Sequence, residues 1–250
     1  MTTAGQSRRE DALEAIWHDV ECGSYAADLR TWTQIARQAS GAVLELGAGT
    51  GRVSLHLARE GLTVEALDLS SELLAELERR AAAAGLAITA TAGDGRNISG
   101  ERRYSAVLAP MQFVHLLAGA RDRALMLRSA RAHLRRGGLF AAAVLTERAM
   151  PVAGIGDLVP DVRELDGWVY SSLPLELIDT GDGVELRRLR QIVSPEGELS
   201  EEMNAVRLGH LAPAELEREA RAEGFEPLER IDVPPTDDHV GSVICVLEAQ

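Results

Sequence analysis

The sequence predicts an α/β protein built on a doubly wound, mostly parallel sheet, and three observations carry that prediction. From residue 42 to residue 145, short apolar runs alternate with helical patterns. A glycine-rich turn and several acids fall just after apolar runs, where open α/β sheets hold their ligands. After Met150 the apolar period changes to two, which marks an antiparallel piece.

Taken in order, residues 8–39 read as helical with a break near Gly23, because "ALEAIWHDV" and "YAADLRTWTQIARQA" place apolar residues three and four apart. Ala42–Leu46 is a predicted strand and Gly51–Glu60 a helix. Val64–Leu67 is the second strand, and Ser70 or Ser71 caps the helix "ELLAELERRAAAA", which stops at Gly85. Ala87–Ala92 and Ala106–Ala109 are the third and fourth strands. A helix over Arg121–Arg136, ended by Gly137-Gly138, leads to a fifth strand, Leu139–Leu145. From Gly167 to Leu211, alternation broken at "TGDG" and "SPEG" predicts a three-stranded meander. "APAELEREARAEG" is a helix with Pro213 in its first turn and Gly224 past its end. Leu228–Val233 and Ser242–Leu247 close the chain as an edge hairpin. The expected organisation is a helical flap over 1–40, a sheet domain over 41–150 and 211–250, and a meander over 151–210. That meander is an acceptor wall or a dimer contact.

Composition excludes several functions. The formal net charge is −13, which repels nucleic acid and anionic membrane. All 26 basic residues are arginine. Without lysine there is neither an internal Schiff base nor a standard phosphate-binding P-loop. The two cysteines, Cys22 and Cys245, lie far apart without metal-ligand spacing. The polar N-terminus and the lack of a long apolar run predict a cytoplasmic protein without signal peptide or membrane span.

The chemistry centres on "VLELGAGTGR". A dinucleotide-binding turn reads G-x-G-x-x-G, but here the third glycine comes one residue early and Arg52 stands in its place. Glu45 precedes the turn by two residues. An acid there suits an ammonium group and is awkward beside a pyrophosphate. With Asp68 after the second strand and Asp94 after the third, the pattern resembles the class I S-adenosylmethionine-dependent methyltransferases, through about residue 145. The resemblance implies a seven-stranded Rossmann-like sheet with a terminal antiparallel hairpin. It implies that Gly47, Ala48 and Gly49 admit the methionine and adenosyl parts of S-adenosylmethionine, with Glu45 at the amino-acid end and Arg52 beside the turn. It implies ribose binding by Asp68 next to Leu69, and adenine binding by Asp94 and Gly95 of "GDGRNI". Asp68 and Asp94 also suit a helix cap and a plain turn, and Gly51 suits helix packing.

At the fourth strand, "LAPMQFVHLL" departs from the Asn/Asp-Pro-Pro-aromatic of the resembled nucleobase amine methyltransferases, which argues for a small-molecule acceptor with an O or N nucleophile. Met111 would meet the cofactor, and Gln112 would hold a polar acceptor. His115 is a candidate base, or a buried structural histidine. Glu147, His210 and His239 are further base candidates, and His239 also reads as a turn residue. In the flap, Trp17, His18, Tyr25 or Trp32 would close on the cofactor. No metal is required and no metal-ligand cluster stands out. A monomer or homodimer is expected. An inactive cofactor-binding regulator, a protein methyltransferase and an NAD-dependent oxidoreductase remain as alternatives.

Overall fold

The computed structural model describes residues 3–145, 159–236 and 239–250, with side chains from residue 13 onward. The chain forms two compact units, Met1–Ser24 with Pro151–His210, and Tyr25–Met150 with Leu211–Gln250.

The larger unit contains the sheet. Its strands are β1 (Val43–Leu46), β2 (Val64–Asp68), β3 (Ile88–Ala92), β4 (Tyr104–Ala109), β5 (Leu134–Leu145), β10 (Phe225–Pro227), β11 (Ile231–Val233) and β12 (Ser242–Ala249). The order β10-β12-β5-β4-β1-β2-β3 is parallel from β3 to β5, with β12 antiparallel to β5. β10 and β11 both pair with β12, so two short strands share one edge position and the sheet has eight strands rather than seven. The order reverses beside β1, which lies between β2 and β4. That places the ligand crevice at the carboxyl ends of β1 and β4.

Helices α2 (Leu29–Ala39), α3 (Arg52–Arg59), α4 (Ser71–Ala83), α5 (Ala120–His133) and α6 (Pro213–Ala222) surround the sheet. Each begins or ends for a local reason. The Ser70 hydroxyl accepts from the Leu73 N–H at 3.2 Å and starts α4. Trp32, Ile35, Ala36 and Ala39 bury the apolar stripe of α2. β1 and β4 are buried along their whole length because the sheet is covered on both faces, and Glu45 and Ser105 are buried with them.

One boundary differs from expectation. Helix α5 ends at His133, and β5 begins at Leu134, ahead of Gly137-Gly138. Leu134 pairs with Tyr104 and Leu139 with Ala106, so β5 carries extra residues in an irregular register. The two glycines sit inside that irregularity rather than capping the helix.

The smaller unit is a four-stranded antiparallel sheet with one helix, α1 (Thr3–Cys22). Its strands are β6 (Asp161–Leu165), β7 (Trp168–Asp179), β8 (Gly183–Val193) and β9 (Leu199–Gly209), in that order. The fourth strand, β6, was not expected. It is joined to β7 by Asp166-Gly167, both with positive φ (51° and 80°), the residue pair that a tight hairpin turn favours. On α1, Leu13, Ile16, Trp17 and Val20 pack with Tyr170, Trp168 and Ile192. Arg190 clamps Glu21 with two bonds of 2.8 and 3.0 Å. The expected flap is thus divided: α1 groups with the meander, and Tyr25 onward groups with the sheet.

Candidate active site

Glu45 is buried within β1, where its carboxylate accepts from the Ser54 hydroxyl. Burial pushes its pKa up to about 8, against the opposing Ser54 bond and the Arg52 charge. Burial therefore disfavours the charged form of this carboxyl directly before the turn. At Gly47 the chain enters the left-handed region with φ +66°, and a Cβ there would lie 2.6 Å from Phe113 Cδ2. A Cβ at Gly95 would lie 3.0 Å from Phe113 Cζ. The Phe113 ring therefore supports both the β1 turn and the segment after β3, and Gly47 is required by packing as well as by conformation. Sequence reasoning passed over Phe113. Its only signal was an aromatic three residues after Pro110. A Cβ at Gly51 would meet Leu77 Cγ at 2.8 Å, so that glycine lets α4 pack close.

Asp68 ends β2 and binds two backbone amides, Gly49 N–H at 2.8 Å on Oδ2 and Ser70 N–H at 3.0 Å on Oδ1. Its carboxylate ties the glycine turn to the start of α4, and each oxygen keeps lone-pair capacity for a further donor. The next residue, Leu69, is 75% exposed, an apolar surface beside the acid. Ala48, between the glycines, donates its N–H to Leu67 O at 3.1 Å.

Asp94 caps a short 3-10 turn, Gly95–Asn97, by accepting from Arg96 N–H at 2.8 Å. The Arg96 guanidinium lies on the same carboxylate, with Nη2 at 2.7 Å, and bridges to Asp122 at 2.6 Å. This hydrogen bonding holds the Asp94 carboxyl below its usual range. Arg96 was not among the expected site residues. Its signal is the i+2 spacing after Asp94, which two-residue Asx turns favour.

The end of β4 opens a pocket lined by Tyr25, Met111, Gln112, His239, Val240 and Ser242, with Leu145 from the end of β5. Met111 has φ +53°, a strained conformation for a residue with a side chain, typically about 1–3 kcal/mol. Tyr25 and His239 stack with ring centroids 4.9 Å apart. Burial, then the Asp28 charge, raises the Tyr25 pKa, while Arg52 and a hydrogen bond with Ser242 oppose the rise. The Arg52 guanidinium is buried behind this ring, 5.1 Å from its centroid. It donates to the Tyr25 carbonyl at 2.9 Å and to both Asp28 oxygens at 2.6 and 2.9 Å. Its side chain therefore anchors Tyr25 instead of facing outward as a cofactor ligand. The departure from the dinucleotide pattern at position 52 was legible, but the partner, 24 residues upstream, was not.

The remaining candidates separate. His115 is 2% exposed, and its Nε2 accepts from the Leu145 N–H at 2.9 Å, joining the turn Phe113–His115 to β5. Trp17 is in the smaller unit, edge-on to Tyr170 at 5.7 Å and under Arg190 at 5.1 Å. Trp32 is fully buried on α2 and donates to Asp28 at 2.7 Å. His18 is on α1, and His210 follows β9, 3.8 Å from Asp179. Glu147 lies outside the described residues. No cluster of potential metal ligands occurs among the described residues.

This donor set suits one kind of ligand. Glu45 lies within β1, Asp68 ends β2 beside exposed Leu69, and Asp94 follows β3. Around the turn, Arg52 and Arg96 are each held in carboxylate pairs. An ammonium, a ribose diol and an adenine ring find acceptors and apolar surface here. A pyrophosphate finds acids instead.

Residues 43–138 match the family model described as a methyltransferase domain. Solved structures share the fold. The CcbJ methyltransferase from Streptomyces caelestis is 25% identical, with a TM-score of 0.68 over 91% of this chain and 98% of that one. The sugar N-methyltransferase KedS8 from Streptoalloteichus is 19% identical, with a TM-score of 0.75 over 94% and 91%. CalS10, an amino pentose methyltransferase from Micromonospora echinaspora solved with S-adenosylmethionine bound, is 17% identical, with a TM-score of 0.71 over 100% and 98%. No curated protein sequence matches this chain. The fold and the family model agree with S-adenosylmethionine-dependent methyl transfer by the domain over residues 43–138.

Proposed function

We propose that this enzyme methylates an amine of a small molecule, without a metal ion, in the cytoplasm. The observation that supports it is the series of acids along three successive parallel strands, Glu45 within β1, Asp68 ending β2 and Asp94 after β3, together with the pocket of Tyr25, Gln112 and His239. The methyl donor supplies an activated carbon on a sulfonium. The protein's task is alignment and exclusion of water, and well-oriented reactants gain roughly 7–11 kcal/mol from it. Glu45 faces the donor's ammonium group in this reading, Asp68 takes the ribose hydroxyls, and Leu69 and Gly95 flank adenine. Asp94, steadied by Arg96, accepts from the adenine amino group. Gln112 holds the acceptor, with Met111 shaping the wall and His115 fixing the turn that carries both. The choice of nitrogen over oxygen rests on the similarity to KedS8, a sugar N-methyltransferase. The net charge of −13 argues against nucleic acid as acceptor.

The test is transfer of labelled methyl from S-adenosylmethionine to three panels: amino-sugar glycosides, duplex and single-stranded nucleic acids, and unfolded protein. Label in the first panel alone, retained in EDTA, is the expected result. Label confined to either macromolecular panel, or loss of activity in EDTA, overturns it.

A further inference from the structure

We propose that His239 is the proton acceptor of the methyl-transfer step; this rests on the reading above that the pocket beside β4 receives the acceptor. His239 is the one imidazole among the described residues that line the pocket. It arrives from the segment between β11 and β12, far in sequence from the glycine turn, and is held by stacking on Tyr25 at 4.9 Å. Its N–H bond to Thr236 Oγ1, 3.0 Å, is a backbone bond and leaves the ring free for chemistry.

The other groups in reach fit a proton acceptor less well. Tyr25 would have to ionise, and burial together with Asp28 opposes that. Its phenol serves instead as the stacking floor, anchored by Arg52 and Asp28. Those are the charged groups behind the ring, and they neutralise each other in a buried pair. Gln112 and Ser242 do not titrate. His115 already uses Nε2 to accept from Leu145. A neutral imidazole accepts a proton on a ring nitrogen lone pair, which suits general base catalysis. In the step, the acceptor nitrogen's lone pair forms the N–C bond as the C–S bond breaks. The bonding pair returns to sulfur, and the surplus proton on nitrogen passes to His239, which becomes imidazolium.

The test has two arms on the full chain. In the first, imidazole NMR signals are followed as a soluble paramagnetic agent is added with S-adenosylhomocysteine present, and the His239→Asn variant assigns the His239 signal. Broadening of the His239 signal while that of His115 is unchanged is expected, because His239 lines the pocket and His115 is buried. A broadened His115 signal with an unchanged His239 overturns the proposal. The second arm compares two reactions of the parent and His239→Asn. Methyl iodide and S-adenosylhomocysteine give S-adenosylmethionine and iodide, a transfer that moves no proton. Transfer to methyl 3-amino-3-deoxy-glucoside moves one. The variant should leave the iodide reaction within twofold and slow amine transfer about 10²–10⁴-fold. Equal slowing of both reactions, or of neither, overturns it. If the parent turns over no amine while the iodide reaction persists, the amine reading fails, and the NMR arm alone decides His239.

Discussion

Replacing Asp28 by alanine should destabilise the sheet unit strongly. The Asp28 side chain is 2% exposed and that of Arg52 8%, and they meet through two bonds of 2.6 and 2.9 Å. Asp28 also accepts from Trp32 Nε1 at 2.7 Å. Removing it leaves a buried guanidinium still bonded to the Tyr25 carbonyl but without its carboxylate, and strips the indole N–H of a partner. Breaking a buried pair from one side costs about 3–5 kcal/mol. For a chain of this size, about 2–4 °C of melting temperature accompanies each kcal/mol, so Tm should fall by roughly 6–20 °C. The double variant Asp28→Leu/Arg52→Met removes both charges. It should recover more than half of that loss, because an apolar pair of similar volume avoids the desolvation of both ions. Thermal melts followed by circular dichroism measure both. A single variant that melts within 2 °C of the parent, or a double variant no better than the single one, would refute the view of this pair as a closed, water-free contact. The double variant also frees Tyr25 from its anchor, so its acceptor KM should rise even where its Tm recovers.

Four further outcomes are expected. Asp68→Ala should weaken S-adenosylhomocysteine binding by at least a hundredfold in calorimetry, and should lower Tm too, because Gly49 and Ser70 N–H lose their acceptor. Gly47→Ala should destabilise the fold, since its Cβ would meet Phe113 at 2.6 Å, and adding Phe113→Leu should restore part of the lost Tm. Glu45 titrates near 8 in the folded chain and near 4.5 when unfolded, so the folded state binds the extra proton between those values. Its contribution to stability therefore declines as pH rises from about 5 to 8, and Glu45→Gln should flatten that part of a denaturant-midpoint profile. Burial pushes the Cys245 thiol up to about 12, so Ellman's reagent at pH 8 should leave it unmodified until the protein is unfolded.

How much was legible in the sequence follows from range. β1, α3, β2, α4 and β3 repeat an apolar strand, a turn and an amphipathic helix within some fifty residues, and local pattern is enough to place them. The acids at strand ends were legible for the same reason: a carboxylate after an apolar run at a switch point has few purely structural uses. The β4–β5 register was not, because Leu134 leaves helical conformation only in response to Tyr104, thirty residues earlier. β6 is a five-residue strand whose turn, Asp166-Gly167, looks like any polar loop until it is paired with β7. The second halves of the site's contacts were hidden as well. Phe113 shows its role only against Gly47 and Gly95, Arg52 only against Asp28, and His239 only against Tyr25. In each case the residue type suggests several uses, and the fold selects one by bringing a distant partner to it.

The central claim is that the glycine turn and its three acids hold S-adenosylmethionine. Calorimetric titration of the purified chain with S-adenosylhomocysteine, with NAD titrated in parallel, tests it most directly. The account predicts micromolar binding of S-adenosylhomocysteine and no heat from NAD. NAD binding without S-adenosylhomocysteine binding would contradict it.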